Sequence, residues 1–172
     1  IRRYLSVDNI YTLKLTRRGH HIPMSLHSHM FMVRRADDVM RSDIIRLPGT
    51  TTLKELDEQD LLYDKPGYVV VTRNERILGL IDVDATLRAV READPELTLA
   101  QLAHHDFTVV RAGMVMFDVL NRMGSKGVRV ALVVRPVAGV PRANDVLGLI
   151  TETEIAESVS DSLTFRSASG SS

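Results

Sequence analysis

Two hydrophobic periods alternate along this chain. Short aliphatic or β-branched runs read as strands: DIIRL (Asp43–Leu47), Val69–Thr72, ILGLI (Ile77–Ile81), FTVV (Phe107–Val110), Val128–Val134 and VLGLI (Val146–Ile150). Between them lie stretches with apolar residues three or four apart, which is helical spacing. Thr52 with Glu55, and Thr151 with Glu154, have the spacing of a capping box and open two of these helices. A third helix is predicted over Met114–Met123, and Thr98 with Gln101 predicts a further short capped helix. RNER (Arg73–Arg76) is a turn, and PVAGVPRAND (Pro136–Asp145) is a longer loop.

These elements occur twice. ILGLIDVDATLRAV (Ile77–Val90) matches VLGLITETEIAESV (Val146–Val159), so Gly79 falls on Gly148. Upstream, KPGYVVVTR (Lys65–Arg73) matches KGVRVALVVR (Lys126–Arg135), and TTLKELDEQDLL (Thr51–Leu62) matches GMVMFDVLNRMG (Gly113–Gly124). Self-similarity at this scale marks a repeated supersecondary unit, here strand–helix–strand–strand–helix. A bridge, Arg91–Ala103, joins the copies, and the loop at Pro136–Asp145 is an addition that the first copy lacks. One unit cannot cover both faces of its own small sheet, so the two are expected to pack face to face as an α/β domain.

Composition narrows the function classes. The 172 residues carry 22 Lys+Arg and 22 Asp+Glu, so net charge is zero and gives no reason to expect nucleic acid or an anionic membrane surface as partner. The lack of cysteine excludes disulfides and thiolate metal sites. The longest apolar stretch is far short of the ~20 residues a membrane span needs. IRRYLSVDNI has no signal-peptide core. A chain that opens on Ile rather than Met is expected to be cut from a longer one. No nucleophile elbow, P-loop or HExxH phrase is present, so the chain is not expected to be an enzyme.

The repeated unit resembles a tandem pair of CBS domains, the regulatory modules named after cystathionine β-synthase. The carrying phrase is Gly-hydrophobic-x-Ser/Thr-x-x-Asp/Asn at a strand-to-helix junction. The second copy reads Gly148-Leu149-Ile150-Thr151-Glu152-Thr153-Glu154, with Glu in place of the final Asp. The first reads Gly79-Leu80-Ile81-Asp82-Val83-Asp84-Ala85, with Asp at the hydroxyl position and Ala at the carboxylate position. The resemblance implies two βαββα repeats, residues 36–92 and 93–163; the small, polar composition of the end of the chain is expected to make 164–172 a disordered tail.

NIYTLKLTRRG, near the start, resembles the end of the last membrane helix of CLC chloride channels and transporters. That resemblance places Tyr11 where a tyrosine hydroxyl faces the central chloride. Residues 1–19 are then the helix end and 20–35 a linker, with the CBS pair on the cytoplasmic face of the membrane. A neutral phenol O–H can hold an anion without trapping it. The same stretch also reads as an ordinary amphipathic helix packing Ile10, Tyr11 and Leu15.

By the same resemblance the pair would hold ATP, ADP or AMP in a cleft between copies and needs no other cofactor. Thr151 would meet phosphate at a helix N-terminus, and Glu154 the ribose. Ile44, Ile45, Asp64, Lys65, Pro66, Gly67 and Tyr68 would form the base slot, with Lys65 adding charge for phosphate. Thr151 and Glu154 are equally explained as a capping box alone. Asp82 and Ala85 make the first copy's phrase a poor match, so at most one nucleotide per chain is expected. HHIPMSLHSH (His20–His29) fits no compact zinc pattern and reads as linker; Met114, Met116 and Met123 read as packing residues. The expected partners are a second copy, in a homodimer, and the membrane domain of a parent transporter. A soluble nucleotide-sensing CBS protein, the regulatory part of an enzyme, and a ligand-free dimerisation module are the rival readings.

Overall fold

The computed structural model describes residues 29–58, 67–90 and 94–167. The chain order is α1 (Ala36–Val39), β1 (Ile45–Pro48), α2 (Leu53–Glu58), β2 (Tyr68–Arg73), β3 (Arg76–Asp82), α3 (Val83–Val90) and α4 (Leu99–Leu102), then β4 (Phe107–Arg111), α5 (Met116–Lys126), β5 (Val130–Val134), a 3-10 turn (Ala143–Asp145), β6 (Val146–Ile150) and α6 (Glu152–Ser167). The predicted βαββα unit is present twice, and the fold class is mixed α/β. Tyr11, the helix end 1–19 and most of the 20–35 linker lie outside the described residues. Helix α6 continues to Ser167, into the stretch read as tail.

Among the described residues there are two three-stranded sheets, ordered β1-β2-β3 and β4-β5-β6. β1 runs parallel to β2, Ile45 opposite Val69, and β4 runs parallel to β5, Phe107 opposite Val130. Each parallel pair is joined through a helix, whereas β2 and β3 form an antiparallel hairpin, as connection length requires. Its two-residue turn holds Asn74 and Glu75 at φ 49° and 63°, the left-handed values that match the twist of a tight hairpin.

The chain divides into two compact units, and they interleave along the sequence. One comprises Ser42–Asp106 with Val137–Gly148. Its core gathers Leu53, Leu56, Val69, Val71, Ile81, Val83 and Leu99, with Ile45, Leu47 and Leu78 packed against it. Val70 and Leu80 are fully buried as well. Successive strand residues point to opposite faces, so both faces of this sheet are covered. The bridge closes this unit's β3 edge. Leu80 donates its N–H to the His104 carbonyl at 3.0 Å, and His104 donates back to Leu80 at 2.9 Å. A Cβ on Gly79 would stand 2.8 Å from the His104 carbonyl oxygen and 2.9 Å from the Ala103 Cβ, which is why the phrase begins with glycine.

The added loop also belongs here. Ala143 donates its N–H to the Glu75 carbonyl at 2.7 Å, and Arg142 pairs with the Glu75 carboxylate at 3.0 Å. Arg46 on β1 donates from Nε to the Ala143 carbonyl at 2.9 Å and from Nη2 to the Val146 carbonyl.

The other unit comprises 29–41, Phe107–Pro136 and the chain from Leu149 onward. It repeats the same closure. Arg41 and Leu149 exchange two backbone bonds of 2.9 and 3.0 Å, as His104 and Leu80 do. Ala36 donates to the Met114 carbonyl and Met116 to the Arg34 carbonyl, both at 2.8 Å. These bonds hold Met114 and Val115 extended, so α5 starts at Met116 rather than at the predicted Met114. It runs to Lys126, past the predicted Met123, and ends on Gly127 at φ 66°. Met116, Val119, Leu120 and Met123 form its buried stripe.

Two substitutions test this packing. Gly79→Ala forces the His104 strand away and is expected to destabilise by about 1–3 kcal/mol in urea unfolding. Thr108 on β4 is 1% exposed, and its hydroxyl has no hydrogen-bond partner among the described residues. Thr108→Val removes that orphan and is expected to raise stability by about 1 kcal/mol; a drop in the unfolding midpoint contradicts the assignment.

Candidate functional site

At the end of β6 the chain turns into α6, and three polar groups satisfy one another. The Glu154 carboxylate reaches back to accept the Thr151 N–H at 2.8 Å and the Thr151 hydroxyl. The Thr151 hydroxyl in turn accepts the Thr153 N–H at 3.2 Å. Glu154 is only 7% exposed. One carboxylate oxygen and the hydroxyl proton are thus committed to capping, as the spacing alone predicts. A phosphate arriving at Thr151 competes with Glu154 for that proton.

A residue the sequence reading passed over stands beside this junction. Arg129, just before β5, forks onto Glu152 in the first turn of α6, with Nε 3.2 Å from one carboxylate oxygen and Nη2 2.9 Å from the other. Bidentate guanidinium–carboxylate geometry is matched equally well by phosphate. The signal was available: Arg129 aligns with Gly67 of the first copy, so an arginine stands where its counterpart has no side chain.

The first copy ends its junction differently. Asp82 accepts the Ala85 N–H at 3.0 Å and caps α3 alone, since Ala85 has no side chain to reach back. A carboxylate thus occupies the positive end of α3, where an anionic ligand would otherwise sit. Tyr68 lies opposite Asp82 and Ile45 opposite Val69, while the Gly67 carbonyl accepts the Val83 N–H at 3.1 Å. Ile44, Ile45, Gly67 and Tyr68 therefore gather at one end of the first sheet, and all four are partly exposed. Asp64, Lys65 and Pro66 lie outside the described residues. Among the described residues no group of three or more His, Asp or Glu could hold a metal, and no helix is long and apolar enough to cross a membrane.

Residues 36–92 match the family described as CBS domain. A CBS domain is present in this chain, and the fold is that of a tandem CBS pair. Among solved structures, the CBS domain of a bacterial CNNM/CorC family Mg2+ transporter superposes with a TM-score of 0.62 at 19% identity, covering 90% of this chain and 96% of that one. The same kind of domain in complex with ATP gives 0.60 at 19% identity, covering 80% and 94%. A CBS domain protein from Pyrobaculum aerophilum complexed with AMP gives 0.53 at 19%, covering 74% and 99%. These three are similar to this chain in fold, and none of them is a chloride channel. No curated protein matches the sequence.

The capping geometry predicts the cost of removing it. Thr151→Ala is expected to destabilise by about 1–2 kcal/mol, because it removes both the cap and a partner of the buried Glu154. Thermal unfolding measures this; an unchanged midpoint would mean that the Thr151–Glu154 contact contributes nothing to the fold.

Proposed function

We propose that this chain is a regulatory CBS pair that binds one adenine nucleotide and transmits its occupancy to an attached membrane transporter. The observation that carries the reading is the β6–α6 junction, where a helix N-terminus, the Thr151 hydroxyl and the Arg129 guanidinium lie together. Phosphate suits all three. In this reading Arg129 leaves Glu152 for the phosphates, and Glu154 turns from Thr151 to the ribose hydroxyls. Ile44, Ile45, Asp64, Lys65, Pro66, Gly67 and Tyr68 remain the candidates for the base. The ATP- and AMP-bound structures of similar fold support the ligand class. Regulation then follows by linkage: a nucleotide that prefers one arrangement of the pair shifts its population.

The finer assignment, to the cytoplasmic face of a CLC-type chloride channel or exchanger, rests on Tyr11, the TRRG exit and the order in which a linker and a CBS pair follow them. The Mg2+ transporter domains of similar fold support a transporter parent and not a particular ion. A soluble nucleotide sensor fits the same fold, as the P. aerophilum protein illustrates. Homodimerisation is part of the proposal. Phe117 on α5 is 52% exposed, and Met30 and Val33 in the same unit are 64% and 71% exposed, apolar side chains that a second copy would cover.

Isothermal titration with ATP, ADP and AMP tests the nucleotide. One site per chain is expected. Arg129→Ala is expected to weaken ATP about tenfold and AMP less, because ATP brings more phosphate charge. Binding that survives Thr151→Ala combined with Glu154→Ala would overturn the site, provided the variant still melts cooperatively. Sedimentation with and without ATP tests the dimer; a monomer under both conditions removes it.

A further inference from the structure

We propose that the β2–β3 hairpin tip and the added Pro136–Asp145 loop together form a docking surface for an anionic lipid membrane. Arg73 and Arg76 lie directly opposite each other in the β2–β3 register, on either side of the turn. Arg76 in turn bridges to Arg142 of the loop. Three arginines therefore stand side by side across the sheet end, where like charges repel. Arg142 is paired with Glu75, but the side chains of Arg73 and Arg76 have no partner among the described residues. Arg73, Asn74, Glu75 and Arg76 are all exposed, so the guanidinium groups stand on an open turn that offers a lone phosphate no enclosure. An extended array of negative headgroups matches them.

The loop supplies the apolar half. Val140 is 86% exposed, the most exposed large hydrophobic residue among those described, and it sits two residues from Arg142. That places it within about 7 Å of chain from the arginine row. The neighbouring Gly139 has a left-handed φ of 93°. Interfacial binding combines basic residues at headgroup level with an apolar side chain inserted below them. The tip's rigidity suits this role. Arg46 holds the loop through the Ala143 and Val146 carbonyls, and Ala143 bonds the Glu75 carbonyl, so basic and apolar parts are fixed to each other before binding.

The test uses the whole 172-residue chain and vesicles of phosphatidylcholine with and without phosphatidylserine. Co-sedimentation with the phosphatidylserine vesicles is expected, weakening as salt rises. Arg73→Gln and Arg76→Gln are each expected to weaken it about fivefold. The chain has other arginines, so the difference between variants is the readout. The protein has no tryptophan, so Val140→Trp supplies a single fluorophore. Its emission is expected to shift to the blue on anionic vesicles only. Equal binding to neutral and anionic vesicles, full binding by the Arg73→Gln, Arg76→Gln double variant, or an unshifted Val140→Trp spectrum each overturns the proposal. So does loss of vesicle binding in dilute inorganic phosphate at constant ionic strength, which would identify free phosphate as the ligand.

Discussion

Everything in this fold depends on four backbone hydrogen bonds. Leu80 and His104 exchange two, and Leu149 and Arg41 exchange the other two. Both leucines follow the glycine of the repeated phrase, and both partners come from the segment that leads into the opposite copy. Each three-stranded sheet has an open edge, and a bare edge is a liability. Here that edge is occupied by a strap from the chain itself. The strap also delivers a short helix: Leu99 of α4 enters the core of Leu53, Leu56, Val69, Val71, Ile81 and Val83. Gly79 is glycine because the strap passes too close for a Cβ.

Much of this was legible in the sequence because its causes are local. Thr52 and Glu55 exchange their capping bonds at 2.9 and 3.2 Å, as their spacing predicts. Gln101 likewise accepts from both the N–H and the hydroxyl of Thr98. Strand β6 has the predicted bounds, since a run of aliphatic residues between a loop and a cap leaves no freedom. The start of α5 was not legible. Met114 and Val115 have good helical spacing, but their backbone is drawn into extended pairing with Arg34 to Ala36, distant in sequence. The destination of the Pro136–Asp145 loop was likewise invisible, because nothing in its composition announces that Arg46 and Glu75 receive it.

The two strand-to-helix junctions solve one problem in two ways. In the first, the cap residue Asp82 brings the negative charge to the helix end. In the second, the charge comes from Glu154 one turn later, and the cap itself is a neutral hydroxyl. The difference is chemical as well as structural. A carboxylate at the cap is fixed beside the amides, whereas one on a longer side chain can be withdrawn without unwinding the turn. The motif was readable as a cap from spacing alone. The Arg129–Glu152 pair beside it was not readable in the same way, because it joins residues 23 apart in the chain.

The interleaved connectivity reaches beyond this chain. The segment 36–92 has the length of a domain but is not a self-sufficient body. Its leading helix α1 serves the sheet built by β4, β5 and β6, and the strap its own sheet requires is encoded after it. A lone copy could complete itself only by trading leading segments with another chain, an exchange that weakens on dilution. Joining two copies in one polypeptide replaces that bimolecular requirement with a tethered one at high effective concentration. Duplication here supplies the edge strand of each sheet from within one chain.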